Sequence, residues 1–221
     1  MSALRQAQGP EGEAQGPEGA RGPLRQAVLA THNPHKVIEF EQIIRATRPD
    51  FELLGYDGPE PVEDGVTFTQ NALIKSRAAC AHTGLPAFAD DSGVSVDVLG
   101  GSPGIFSAYW AGHRKDPVAN LHLLLDQISD IADPHRTARF VSVIALVLPD
   151  GTEHTVEGVW NGRIASAPRG DGGFGYDPIF VPDGQVPWAE RTVGEWTDAE
   201  KAEASHRARA FRALEPLLET L

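Results

Sequence analysis

The 221-residue chain contains a single cysteine, Cys80, which excludes both an internal disulfide framework and a cysteine-built zinc centre. Cys80 sits in an alanine-rich stretch and reads as a small core residue. Long apolar runs are also missing: there is no stretch of about 18 such residues to span a membrane. The first residues lack the continuous apolar segment of a secretory signal, so the expected address is cytoplasmic. Positive charge is scarce, with 19 Lys and Arg against 31 Asp and Glu and a formal net charge of −12. A nucleic-acid surface normally needs a basic patch, so neither nucleic acid nor membrane is expected as a partner. A free nucleotide that brings its own metal ion is compatible with an acidic protein.

Apolar side chains are nearly absent from the first 23 residues, which carry QGPEG twice, and LRQA occurs at 4–7 and again at 24–27. Such a composition cannot build a core, so residues 1–25 are expected to be a disordered low-complexity tail ahead of one domain over 26–221. With 41% hydrophobic and 23% charged residues, the remainder has enough apolar material for one substantial core.

What is present alternates between strand and helix signals. Residues 27–30 read as a short buried strand, followed by Thr31-His32-Asn33-Pro34-His35-Lys36 and a helix to about 47 striped by Val37, Phe40, Ile43 and Ile44. Asn33 before Pro34 is a helix N-cap with proline at the first helical position. A second strand is expected over 51–54, then a turn-rich acidic loop with Glu60, Glu63 and Asp64, then a helix over 66–82. Residues 117–128 have helical periodicity, and 138–148 should form a hairpin with 153–160 through Pro149-Asp150-Gly151. A glycine-rich loop over 168–183 holds a short strand at 178–181, and one last helix is expected over 198–218. The class is α/β, a mixed β-sheet with flanking helices.

The chemistry-bearing residues gather in five places. In Ala89-Asp90-Asp91-Ser92-Gly93 two adjacent carboxylates lie in an apolar setting, at an expected tight break between two strand-like segments where Gly93 lets the backbone turn. Paired carboxylates can hold a hard cation or accept a proton from water, and the same residues also make an ordinary solvated turn. Residues 31–36 place a strand end against a helix N-terminus, where free backbone N–H groups and the dipole favour an anion. Glu63 precedes a helix on which Asn71 and Lys75 share one face at (i, i+4) spacing. Four glycines flank Phe174 and Tyr176 over 170–178, with Asp177 beside them, which points to close backbone approach and a surface for a purine ring. Lys201, His206 and Arg207 form a polar cluster on the last helix, able to meet a phosphate or a base carbonyl, or simply to face solvent.

In sequence order, LATHNPHKVIEFE, GVTFTQNALIKSRAA, FADDSGVSVDVLGGSPGIFSAYWAG, PRGDGGFGYDPIF and EKAEASHRARA resemble the Ham1-like inosine triphosphate pyrophosphatase family over about 26–218. The resemblance implies an elongated, two-lobed α/β fold with a central cleft, usually a homodimer and dependent on Mg²⁺. It implies hydrolysis of non-standard purine nucleoside triphosphates, such as ITP, dITP and XTP, to the monophosphate and pyrophosphate. By the same resemblance Asp91 is the catalytic acid and a metal ligand with Glu63, and Asp90 supports the metal shell. Substrate contacts are then Thr31, His32, Asn33, Pro34, His35, Lys36, Asn71, Lys75, Ser92, Phe174, Gly175, Tyr176, Asp177, Lys201, His206 and Arg207. Departures are His32, where several relatives have a smaller residue, Ala208, where a glycine is frequent after His-Arg, and the loop at 185–196 with Trp188 and Trp196, which has no assignment. Two other readings stay open: a metal-dependent phosphohydrolase acting on another phosphorylated small molecule, and a nucleotide-binding module without turnover.

Overall fold

Six strands and five α-helices alternate along the computed structural model, which describes residues 24–220. Of the disordered tail expected over 1–25, residues 1–23 fall outside the described residues. The strands are β1 (Gln26–Leu29), β2 (Glu52–Gly55), β3 (Ala87–Val96), β4 (Thr137–Val147), β5 (Glu153–Ile164) and β6 (Phe180–Pro182). The helices are α1 (Pro34–Thr47), α2 (Phe68–Thr83), α3 (Pro117–Gln127), α4 (Asp198–Ala204) and α5 (His206–Thr220). The strands form one mixed sheet in the order β2-β1-β3-β4-β5-β6. β1 runs parallel to β2 and to β3, and β6 runs antiparallel to β5. The class is the α/β mixed sheet with flanking helices that the sequence pattern implies.

The chain divides into two units. The first takes the described residues up to Asp91, then Val143–Glu157 and Ala210–Leu221; the second takes Ser92–Ser142 and Gly158–Arg209. In the first, Val28, Ala30, Leu54, Tyr56, Ala79, Cys80, Ala87, Ala89 and Val147 form an apolar cluster, so Cys80 is the buried core residue expected of it. In the second, Val94, Val96, Leu124, Phe140, Trp160, Ile179 and Phe180 are among the residues of another, against which Trp196 packs. Among the described residues no helix is long and apolar enough to cross a membrane.

Local signals account for most boundaries. Asn33 caps α1 by accepting from the backbone N–H of His35 and Lys36, with Pro34 at the first helical position. Thr67 caps α2, which ends on Gly84 in the left-handed conformation.

Two expectations are corrected. The acidic pair does not stand at a break: β3 runs unbroken through Asp90, Asp91, Ser92 and Gly93. Gly93 does not turn the chain there; a Cβ on it would lie 2.4 Å from both the Gly104 carbonyl oxygen and the Ser107 Oγ. Glycine is needed because neighbouring backbone packs against the strand, and the Ser107 hydroxyl accepts from Val94 N–H at 3.0 Å. The last helix is not continuous, because Ser205 leaves helical geometry between α4 and α5. Its hydroxyl accepts the Ala208 N–H at 3.2 Å and so caps the second segment, placing His206 and Arg207 in the first turn of α5.

Candidate active site

In the first unit, β3 presents its two acids to two different ammonium groups. Successive side chains on a strand point to opposite faces, so adjacent aspartates separate by geometry. Asp90 is 2% exposed, and its Oδ2 lies 2.8 Å from Lys36 Nζ, brought in by the first turn of α1. Asp91 Oδ1 accepts from Lys75 Nζ at 2.9 Å, and Asp91 Oδ2 faces Asn71 Nδ2 at 3.4 Å. Lys75 also donates to Glu63 Oε2 at 2.8 Å, so one ammonium on α2 joins two carboxylates from different segments. Buried charge persists only when paired, which is why both lysine stems are drawn inward with the acids.

The electrostatics follow from that packing. Burial pushes the Asp91 carboxyl above its ordinary value, against the opposing pull of Lys75 and Lys36, and Glu63 adds to the rise. For Lys75, burial pulls the ammonium down, but the Asp91 and Glu63 carboxylates outweigh it and the net shift is upward.

Glu63, Asp90 and Asp91 against Lys36 and Lys75 leave this group one charge negative, the sign that admits a cation. Asn71 Oδ1 is buried and has no hydrogen-bond partner among the described residues, a leftover acceptor of the kind a cation or its hydration water satisfies. No cluster of three or more His, Cys, Asp or Glu residues poised for a metal occurs among the described residues. Glu63 and Asp91 offer carboxylate oxygens, the donors a hard divalent cation takes.

In the second unit the glycine-rich loop closes on Asp177. This carboxylate is buried and accepts from Lys201 Nζ at 2.6 Å and from the Phe174 N–H at 2.7 Å. Gly173 has a φ of +68°, and a Cβ there would come within 2.1 Å of Asp177 Oδ2, so glycine is required for the loop to wrap its acid. Lys201 Nζ stands 4.5 Å from the centre of the Phe174 ring, and the Arg207 guanidinium carbon 5.5 Å from it, both in cation–π range. Arg207 donates to the Ser92 hydroxyl at 2.6 Å. His206 is buried with its ring stacked on Phe140 at 4.8 Å, and Tyr176 donates its hydroxyl to the Ser107 carbonyl at 2.9 Å. Burial raises the Tyr176 pKa well above its ordinary value, so the phenol stays protonated and serves as a donor.

The predicted residues thus fall into two groups. Thr31 to Lys36, Glu63, Asn71, Lys75, Asp90 and Asp91 assemble in the first unit; Ser92, Phe174 to Asp177, Lys201, His206 and Arg207 assemble in the second. Sequence reading passed over three contributors. Ser107 secures both β3 and Tyr176, Gly65 leaves room for the Asn71 amide, and Glu60 bonds to His32. Glu60 stood out in the acidic loop, but nothing in the local sequence announces a partner 28 residues away. The unassigned loop proves to be self-clasped: the Gln185 side chain donates to the Arg191 carbonyl at 2.8 Å and accepts the Arg191 N–H at 3.0 Å.

A mixed α/β sheet, a capped helix start beside paired acids and ammoniums, and a glycine-bounded aromatic loop suit an α/β enzyme for a phosphorylated ligand. Comparison with known proteins narrows this. A profile of the Ham1 family matches residues 27–217, and the chain belongs to that family. It is 57% identical to a dITP/XTP pyrophosphatase of Leifsonia xyli over 88% of this chain and 96% of that one. Among solved structures, a nucleoside-triphosphatase / dITP/XTP pyrophosphatase from Mycobacterium abscessus aligns with a TM-score of 0.68 and 47% identity, covering 86% of this chain and 99% of that one. A HAM1 protein from Coxiella burnetii aligns with a TM-score of 0.76 and 37% identity, covering 88% and 98%.

Proposed function

We propose that the protein hydrolyses non-standard purine nucleoside triphosphates, dITP, XTP and ITP among them, to the monophosphate and pyrophosphate, and so clears them from the nucleotide pool. Residues 26–221 carry the activity as one pyrophosphatase domain. The observation that carries this reading is the pairing of Glu63 and Asp91 on one ammonium, Lys75, in a chain closely related to dITP/XTP pyrophosphatases. A pure binding module gains nothing from setting buried acids beside phosphates. A phosphohydrolase working through an aspartyl nucleophile would release orthophosphate first, which the product measurement below separates from pyrophosphate release.

Glu63 and Asp91 would hold Mg²⁺, which when bound neutralises phosphate charge and brings water close to the phosphorus. The chain's own groups do the rest. The start of α1, with Thr31, His32, Asn33, Pro34, His35 and Lys36, receives phosphate oxygens, and Lys36 and Lys75 offset charge on the departing pyrophosphate. Asp91 takes the proton of the attacking water at its carboxylate, while Asp90 keeps the Lys36 ammonium in place. Phe174 to Asp177, with Ser92, Lys201, His206 and Arg207, engages the base and sugar end of a nucleotide.

A 6-oxo purine offers an acceptor where adenine offers an amine, and the groups near Phe174 are donors, chiefly the cations of Lys201 and Arg207. Inosine and xanthine are thereby favoured over adenine. The same reading includes a cytoplasmic homodimer, which sedimentation of the purified protein tests. Pyrophosphate and orthophosphate release should be measured separately on XTP, dITP, ITP, GTP and ATP with Mg²⁺. Pyrophosphate from the first three, with ATP at least about a hundredfold slower, is expected; orthophosphate as first product, or equal rates on ATP, overturns the proposal.

A further inference from the structure

We infer that His32 and Glu60 form a latch that sets where Glu63 meets Asp91, so that both are positioning residues for the cation-holding carboxylates; this rests on the function proposed above. Glu63 arises from irregular chain: β2 ends at Gly55 and α2 begins at Phe68, and residues 56–67 form neither strand nor helix. A carboxylate on such a segment meets a fixed partner reliably only if the segment is ordered beforehand, since ordering it on binding costs conformational entropy.

The structure ties the segment at several points. The Tyr56 hydroxyl donates to the Pro59 carbonyl at 3.0 Å, and Gly58 lies so close to the Tyr56 ring that a Cβ would fall 2.5 Å from its Cζ. Further on, the Val66 N–H donates to Gln70 Oε1 at 2.7 Å. These ties are local. The His32 bond is different, because Nδ1 lies 2.9 Å from Glu60 Oε1 across 28 residues of chain. The His32 ring also stacks on Tyr56 at 5.7 Å and 19°, and Tyr56 meets His82 edge-on at 5.8 Å. His32 is thus held by a carboxylate and a ring of the very segment that carries Glu63.

Both ends of the latch stand next to the chemistry. Glu60 precedes Glu63 by three residues, and His32 directly precedes Asn33, the cap of the helix whose Lys36 holds Asp90. One contact therefore joins the acidic segment to the phosphate-receiving start of α1. A half-exposed pair of this kind contributes little to overall stability. Its effect falls on placement of Glu63.

The test compares the full chain with Glu60→Ala, Glu60→Gln, His32→Ala and the double variant His32→Ala/Glu60→Ala. Mn²⁺ affinity is measured by calorimetry without nucleotide, and pyrophosphate release from XTP is followed as Mg²⁺ is raised. Glu60→Ala and His32→Ala should each weaken Mn²⁺ binding and raise the half-saturating Mg²⁺ about three- to tenfold, and Glu60→Ala should change kcat at saturating Mg²⁺ less than about twofold. The double variant should be no worse than the poorer single one, and Glu60→Gln, which keeps the acceptor, should recover most of the affinity. Additive losses overturn the latch, as does a Glu60→Ala variant that binds Mn²⁺ like the wild type. A His32→Ala variant that raises the nucleotide KM but binds Mn²⁺ like the wild type also overturns it. A wild type that releases no pyrophosphate overturns the proposed function, while the Mn²⁺ measurement still decides the latch.

Discussion

Lys201 and Asp177 form an ion pair all but sealed from water: Nζ to Oδ2 is 2.6 Å, and the two side chains are 8% and 3% exposed. The Phe174 N–H shares the same carboxylate oxygen, so one acid holds a cation and a loop together. Asp177→Ala takes the carboxylate away from a buried ammonium and a buried N–H, and unfolding in urea should show a loss of about 3–5 kcal/mol. Adding Lys201→Met to it should restore part of the stability, because the stranded charge is gone. A single variant as stable as the wild type would show that water reaches the pair.

Asp91→Asn removes the carboxylate proposed to take the water's proton and keeps the shape. The amide can still meet Lys75 through its oxygen, so the melting temperature should move by only a few degrees, while kcat for pyrophosphate release falls about 10²- to 10⁴-fold. Chelation of divalent cations should silence the wild-type protein equally, with recovery on adding Mg²⁺.

Gly93→Ala puts a methyl group where the Gly104 carbonyl and the Ser107 hydroxyl leave no room, each 2.4 Å from its position. Backbone cannot rotate away as a flexible side chain can, so β3 or the segment at 104–107 must shift. Thermal or urea unfolding should register about 1–3 kcal/mol. Because Gly93 lies two residues from Asp91, activity should fall along with stability.

Acid should act measurably on the start of α4. The Glu200 carboxylate is held down to about 2 from an ordinary 4.5, first by Arg191 and then by the Thr197 N–H and hydroxyl. A carboxyl with a lowered folded-state pKa stabilises fully above 4.5 and loses that contribution as pH falls toward about 2. The stability difference between wild type and Glu200→Gln should therefore be largest near neutrality and shrink steadily below pH 4.5 in urea titrations.

Elements with their own punctuation were legible in the sequence. Asn33-Pro34 announced α1 to the residue, and the Pro149-Asp150-Gly151 turn announced the hairpin of β4 and β5. Asp90 to Gly93 misled because Asp, Ser and Gly are turn formers by propensity, whereas tertiary context decides for β3. β3 lies between β1, which pairs with it at Ala87 and Phe88, and β4, and Lys36 and Lys75 neutralise the acids that a strand would otherwise reject. The break at Ser205 was hidden for the opposite reason: apolar periodicity continues through Ala204, Ala208, Ala210 and Phe211, and a serine inside it looks innocuous until its hydroxyl is seen capping Ala208. The site residues were legible as types, but pairings such as Asp177 with Lys201 or His32 with Glu60 depend on contacts between distant segments, which no local pattern encodes.

The first unit draws its chain from three separate stretches, the last being Ala210–Leu221, where Ala210, Phe211, Leu214 and Leu218 are fully buried and the Leu218 carbonyl accepts the Leu24 N–H at 2.8 Å. On the ribosome, the half that is synthesised first is therefore completed last. Asp90, Asp91 and their lysines emerge early but wait for the final helix before their surroundings close. Removal of residues 210–220 would accordingly damage the acid–ammonium group of the first unit, and leave the later-made loop around Asp177 with its own core intact.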